Sequence, residues 1–145
     1  MGDTYYEKTL TLVPAGTYVA DGTGTAYVTG GKQKSWVVVC DYTAKATDAN
    51  DTMDVYIDVL VGTLWINVIR FTTALGNGTD AQREVGNITP ANQNTAVTAV
   101  SADCASGVVR PGITGSQIRA RWDFTDGGGG GAATFDFSVL AYSAV

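Results

Sequence analysis

Ser116-Gln117-Ile118-Arg119-Ala120-Arg121-Trp122-Asp123-Phe124-Thr125 alternates apolar and polar side chains without a break. Ile118, Ala120, Trp122 and Phe124 share one face, while Arg119, Arg121, Asp123 and Thr125 share the other, the period-two pattern of a half-buried strand. Residues 134–142 repeat it, with Phe135, Phe137, Val139 and Ala141 on one side. Between the two arms lie five consecutive glycines, Gly127 to Gly131. The reading is a β-hairpin with a mobile glycine tip whose two apolar faces join in one core surface. Charge sets its expected register. Trp122 opposite Phe135 places Arg121 across from Asp136, whereas a two-residue slip would set Asp123 against Asp136 and oppose like charges.

Working outward, residues 53–61 carry the cleanest alternation, with Met53, Val55, Ile57, Val59 and Val61 inward and Asp54, Tyr56, Asp58 and Leu60 on a wet face. Residues 34–45 form a strand with Trp36, Val38, Cys40 and Tyr42 on one side. Val37 and Val39 on the other predict a central strand covered twice. A turn at Gly62-Thr63 leads into residues 64–73, where Trp65, Ile69 and Phe71 outweigh the opposite set and are assigned inward. Residues 9–13 read as a first strand closed by a turn at Pro14-Ala15-Gly16. Asp21-Gly22-Thr23-Gly24 marks a small hairpin or an edge flap. From residue 80 to 115 the pattern weakens, with short strands expected at 84–88 and 95–101 and a lead-in to the last hairpin at 108–111. About eight to ten strands and no helix-length periodicity predict an all-β fold, an antiparallel two-sheet β-sandwich, jelly-roll-like, spanning residues 1–145 as a single domain. Its expected core is Trp36, Val38, Val55, Ile57, Trp65, Phe71, Ile118, Trp122, Phe135 and Phe137. Residues 1–8 form an expected N-terminal arm, either frayed or held by a partner.

Composition narrows the function. The 145 residues contain nine Lys and Arg against 14 Asp and Glu, a net charge of −5, which disfavours a nucleic-acid partner. There is no histidine, which removes the commonest general base, the Ser-His-Asp constellation and the usual zinc ligands. No catalytic residues and no cofactor are expected. Cys40 and Cys104, the only cysteines, are too few for a disulfide framework, and no charged-then-apolar leader argues for secretion, so synthesis in a reducing cytosol is expected. No apolar run approaches the length needed to span a bilayer, so no membrane partner is expected. Asp48, Asn50, Asp51 and Asp54 gather oxygen ligands of the kind a calcium ion takes, without the turn glycine and closing Glu of an EF-hand; a solvated turn is the simpler reading. The glycine run lacks the Lys-Ser/Thr ending of a phosphate loop.

Several segments together resemble the small β-sandwich structural proteins encoded among the head genes of tailed bacteriophages. They are Val37-Val38-Val39-Cys40-Asp41-Tyr42-Thr43-Ala44, Thr52-Met53-Asp54-Val55-Tyr56-Ile57, Trp65-Ile66-Asn67-Val68-Ile69-Arg70-Phe71-Thr72, Gly115-Ser116-Gln117-Ile118-Arg119-Ala120-Arg121-Trp122 and Thr134-Phe135-Asp136-Phe137-Ser138-Val139. The chain departs from that pattern in having Val61-Gly62-Thr63-Leu64 ahead of Trp65 and a longer segment at 80–115. The resemblance implies a non-enzymatic virion component, a decoration or cement protein on the capsid exterior. It would bind the major capsid protein as a homo-oligomer, trimer or dimer, after synthesis in the host cytoplasm. Tyr5, Tyr6, Tyr18 and Leu60 are the expected partner contacts. The alternatives are a glycan-binding sandwich module for surface attachment, and a head-tail or tail component of the same virion.

Overall fold

The computed structural model describes residues 8–29, 35–46, 48–77, 81–90, 97, 99–129 and 134–144. Among them are eleven strands and no helix: β1 (Lys8–Tyr18), β2 (Gly22–Thr23), β3 (Tyr27–Val28), β4 (Ser35–Ala44), β5 (Thr52–Val61), β6 (Leu64–Arg70), β7 (Ala74–Leu75), β8 (Gln82–Ile88), β9 (Val108–Val109), β10 (Gln117–Thr125) and β11 (Phe135–Ala144). One sheet, A, runs β1-β11-β4-β8; the other, B, runs β2-β10-β5-β6-β9, with β3 also on β10 and β7 on β5. Every pairing is antiparallel. The fold is an all-β antiparallel sandwich.

The alternation that singles out β10 and β11 fixes which faces are buried, and both faces do meet the core, but from opposite layers. β10 pairs with β5 over nine consecutive residues, and β11 pairs with β1 and β4, so the expected β10–β11 hairpin does not form. Arg121 stands opposite Tyr56 and Asp123 opposite Asp54, while Asp136 lies between Thr17 and Ala44; neither charge register considered for Asp136 occurs. Period-two patterning names the buried face and is silent about the neighbour. The glycine connection instead crosses from one sheet to the other. Its start packs on the loop before β5: the Gly127 amide donates to Asp51 Oδ1 at 2.9 Å, and a Cβ on Gly127 would lie 2.2 Å from the Asn50 Cβ. A side chain there would push the two loops apart. Gly130 and Gly131 lie outside the described residues.

Between the sheets, Met53, Val55, Ile57, Val59, Ile118 and Ala120 of sheet B meet Leu10, Trp36, Val38, Tyr42, Phe135, Phe137 and Val139 of sheet A, all buried. Each aliphatic or aromatic side chain so buried contributes about 1.5–3 kcal/mol. An aromatic cluster spans the gap, with the Phe137 ring 4.6 Å from Tyr18, 5.3 Å from Tyr42 and 6.0 Å from Trp122. Trp122 is half-buried at the rim and donates its indole N–H to the Ala20 carbonyl at 3.0 Å.

Four local expectations need correction. β1 does not stop at Pro14 but continues to Tyr18, absorbing the break in two register shifts against β11, which an edge strand tolerates. Tyr18, expected to be exposed, is half-buried: its ring packs on Trp122 and Phe137, and its hydroxyl donates to the Pro14 carbonyl at 2.5 Å. β4 is central in its sheet yet covered on one face only, since Val37 is exposed and Val39 half-buried. Of the two readings of the Gly22 region, the edge flap is the one that forms, because β2 and β3 pair with β10 and not with each other. Residues 108–109 form an edge strand on β6 where a lead-in was expected.

Residues 64–73 follow neither simple register. The β5–β6 ladder pairs Ile57 with Ile69 and Asp58 with Asn67, leaving Val68 as a bulge that switches the inward phase. Val68, Ile69 and Phe71 are buried as a result, and Ile66 packs partly against the core, while Trp65 turns to the outer face. The tight turn before it, Gly62-Thr63, is as read, with Gly62 in the left-handed region at φ 63°. Tyr5, Tyr6 and residues 95, 96 and 98 lie outside the described residues; the strand expected at 95–101 is not found, since its described residues, 97 and 99–101, belong to no strand.

Candidate functional site

The outer face of sheet B was expected to be wet along β5. It is instead the most organised polar surface among the described residues. Alternation puts Asp54, Tyr56 and Asp58 of β5 outward beside Arg119, Arg121 and Asp123 of β10, with Trp65, Asn67 and Arg70 arriving from β6. Tyr56 and Asp58 are nevertheless buried, at 5% and 2% exposure. Asp58 Oδ2 accepts from Arg121 Nε at 2.8 Å and Arg119 Nε at 3.2 Å, and its Oδ1 accepts from Asn67 Nδ2 at 3.2 Å. Asp54 Oδ1 accepts from Arg70 at 3.0 and 3.2 Å, and from the Thr73 hydroxyl. Arg121 also pairs with Asp103.

Aromatic rings complete the layer. Arg119 lies 4.1 Å over the Trp65 ring, and Arg121 and Arg70 lie 4.2 and 5.3 Å from the Tyr56 centroid. Planar guanidiniums suit this double duty of carboxylate pairing and ring stacking. Partial burial works against the charge on Arg121 and Arg70, but their bonds to Asp58 and Asp54 outweigh it and hold both guanidiniums more firmly protonated than usual.

The network fastens the segment before β9 onto the sheet. Cys104 N–H donates to Asn67 Oδ1 at 2.9 Å, and Arg110 donates to the carbonyls of Asn67 at 2.7 Å and Ala102 at 2.9 Å. Arg70 reaches the Cys104 carbonyl at 3.4 Å. This cover is why Tyr56 and Asp58 are buried on a face that the alternation of β5 marks as open. Chemically the arrangement is a set of mutually neutralised ion pairs, in which Asp54, Asp58 and Asp103 each face a guanidinium.

Asp123 is the acid of this face that gains least. It stands opposite Asp54, and partial burial together with Asp21 pushes its carboxyl upward, with Arg121 opposing. A raised folded-state value means stability is given up as pH rises through it and recovered on acidification. Asp123→Asn is therefore expected to raise the melting temperature at neutral pH, and the gain should vanish below the ordinary carboxylate range. Thermal melts at the two pH values check this.

The calcium-type cluster does not assemble. Asp48 Oδ1 accepts from its own loop at the Asn50 amide, Asp51 is turned inward to Gly127, and Asp54 belongs to Arg70. Among the described residues no three His, Cys, Asp or Glu side chains converge on a point that could hold a metal ion. Asp48 and Asp51 are spent on shaping loops, and Asp54 on an ion pair.

Of the expected core, Trp36, Val38, Val55, Ile57, Phe71, Ile118, Phe135 and Phe137 are buried, Trp122 is at the rim and Trp65 lies outside it. Leu60, expected as a partner contact, is half-buried opposite Trp65 and Gln117. Cys40 and Cys104 are free and buried. Burial pushes the Cys40 thiol far above its ordinary range, with Glu84 and Asp41 adding to the effect; it also raises Cys104, against Arg110. Neither thiol is expected to react with an alkylating reagent in the native state, and both should react once denaturant is added, as mass spectrometry of the labelled chain would show.

Fold and surface together define an all-β sandwich with an ion-paired, aromatic-backed outer face. Comparisons with family models, with curated proteins and with solved structures find no match for this chain.

Proposed function

We propose that this chain is a non-enzymatic structural protein of a virion, a decoration or cement protein that binds the outer surface of the major capsid protein lattice and stabilises the head. The observation that carries the reading is the self-neutralised outer face of sheet B: Arg70, Arg119 and Arg121 are spent on Asp54, Asp58 and Asp103, so charge serves to stiffen the scaffold. It joins the head-protein-like run of strands and a net charge of −5, which suits a shell exterior better than a surface facing packaged DNA. A glycan-binding module would draw on aromatic rings presented by loops. Here Trp36 is buried in a strand, Trp65 lies under Arg119 and Trp122 sits at the sandwich rim.

The mechanism is mass action: a partner that binds only the assembled shell stabilises it in proportion to the logarithm of occupancy. Particles stripped of this chain should lose DNA at a lower temperature, and adding it back should restore the original value. Unchanged release overturns the proposal. Copy number per particle separates the shell, with its many sites, from a neck or tail component with few.

A further inference from the structure

The sandwich blunts its sheet edges, with one exception. β1, at one edge of sheet A, carries Pro14 and two register shifts, and β2, β3, β7 and β9 of sheet B are two residues each. Such devices keep an edge from recruiting another strand. β8, the other edge of sheet A, has neither proline, register shift nor brevity, and its two charges are engaged within the chain, Arg83 with Asp41 at 3.0 Å and Glu84 with the Thr72 hydroxyl at 2.7 Å. It is seven residues long, pairs with β4 without a shift from Trp36↔Ile88 to Tyr42↔Gln82, contains no proline, and among the described residues has no strand on its far side. At its centre Val85 is 59% exposed. Val85 also ends an outer-face row, Leu140 to Val39 to Val85, that crosses the sheet and stops at this edge.

We infer that β8 is an interface for a second copy of this chain, the two β8 strands pairing antiparallel about a two-fold axis at Val85 and joining two A sheets into one. The sequence of the strand selects both occupant and register. Val85 is the midpoint of residues 82–88, so an axis there pairs all seven residues with their counterparts. Arg83 then opposes Asn87 of the other copy, Glu84 opposes Gly86, and Gln82 opposes Ile88. An axis at Arg83 or Glu84 would set each charge against itself. The apolar row becomes continuous through the axis, Val85 meeting Val85. Two-fold closure uses both edges once and stops growth at the dimer. The inference does not depend on which particle, if any, the chain joins.

An edge of this size belongs with small interfaces, and association is expected at roughly 1–100 μM. Sedimentation velocity on the full chain across that range is expected to show a monomer–dimer equilibrium. Val85→Lys, which puts two ammonium groups on the axis, should weaken it about tenfold or more, and Asn87→Asp, which gives Arg83 a carboxylate across the interface twice, should tighten it about fivefold. Directly opposed residues of an antiparallel pair have Cα atoms about 4.5–5.5 Å apart, within disulfide reach. On mild oxidation Val85→Cys should therefore give a covalent dimer. Arg83→Cys should crosslink to Asn87→Cys when the two variants are mixed, but not to itself. Circular dichroism confirms that each variant folds. A chain that stays monomeric throughout, a trimer, or a dimer without the Val85→Cys crosslink overturns the inference, and none of these results bears on capsid binding.

Discussion

Asp58→Ala is expected to cost about 3–5 kcal/mol, the largest loss of any single charged side chain on the outer face of sheet B. Asp58 is 2% exposed and is the shared acceptor of Arg119 and Arg121. Deleting it leaves two guanidiniums held beside Trp65 and Tyr56 with their main counter-charge gone, and frees one Asn67 amide contact. Arg121 keeps Asp103, but that carboxylate is the more exposed partner and is screened by solvent. The loss corresponds to a fall in melting temperature of about 10 °C or more. A second variant separates the cost of an unpaired charge from the worth of the whole network. Asp58→Leu combined with Arg119→Met and Arg121→Met removes all three charges together and should recover most of the stability, because desolvation of the ions offsets much of their attraction. Equilibrium urea unfolding of both variants is the measurement. A triple variant as damaged as Asp58→Ala would mean that the ion pairs themselves, and not the avoidance of an orphaned charge, hold this face.

How much of this was legible in the sequence follows from what alternation encodes. It assigns each residue to a face, so Met53, Val55, Ile57 and Val59, like Phe135, Phe137 and Val139, could be placed in the core without knowing any neighbour. It carries no information about strand order. β10 and β11 are adjacent in sequence, have matching apolar faces, and lie in opposite sheets. The glycine run that looked like a hairpin tip serves a crossover, for which conformational freedom is equally useful. Trp65 was lost to the bulge at Val68, which reverses the phase of half a strand and leaves no mark in a window of apolar residues. The outer-face network did leave a signal. Asp54-x-Tyr56-x-Asp58 on one strand complements Arg119-x-Arg121 on another, but reading it requires the β5–β10 pairing that the hairpin assumption displaced. Its cover, residues 101–110, has weak periodicity because side chain to backbone bonds from Asn67, Arg70 and Arg110 hold it, and such bonds impose no repeat.

The second large effect is in the seam. Phe137→Ala is expected to cost about 3–5 kcal/mol, toward the upper end of that range. The side chain is 1% exposed and its ring contacts Tyr18 of β1, Tyr42 of β4 and Trp122 of β10, so the walls of the resulting cavity belong to three strands in two sheets. Each wall is fixed by its own ladder, β1 and β4 to β11 and β10 to β5, and none can move inward without breaking backbone hydrogen bonds. A site that cannot collapse keeps its cavity and bears the full penalty. Loss of ring contacts that favour edge-on and tilted geometry adds to the transfer cost of the side chain. Phe137→Leu, which retains most of the volume, should cost only about 1–2 kcal/mol. Urea unfolding gives both values. The near-ultraviolet dichroism of Phe137→Ala should fall as Trp122 and Tyr42 lose their fixed neighbour, while far-ultraviolet strand signal persists. A cost below about 1.5 kcal/mol for Phe137→Ala would mean that the seam repacks freely, a behaviour at odds with two sheets locked by their ladders around one aromatic centre.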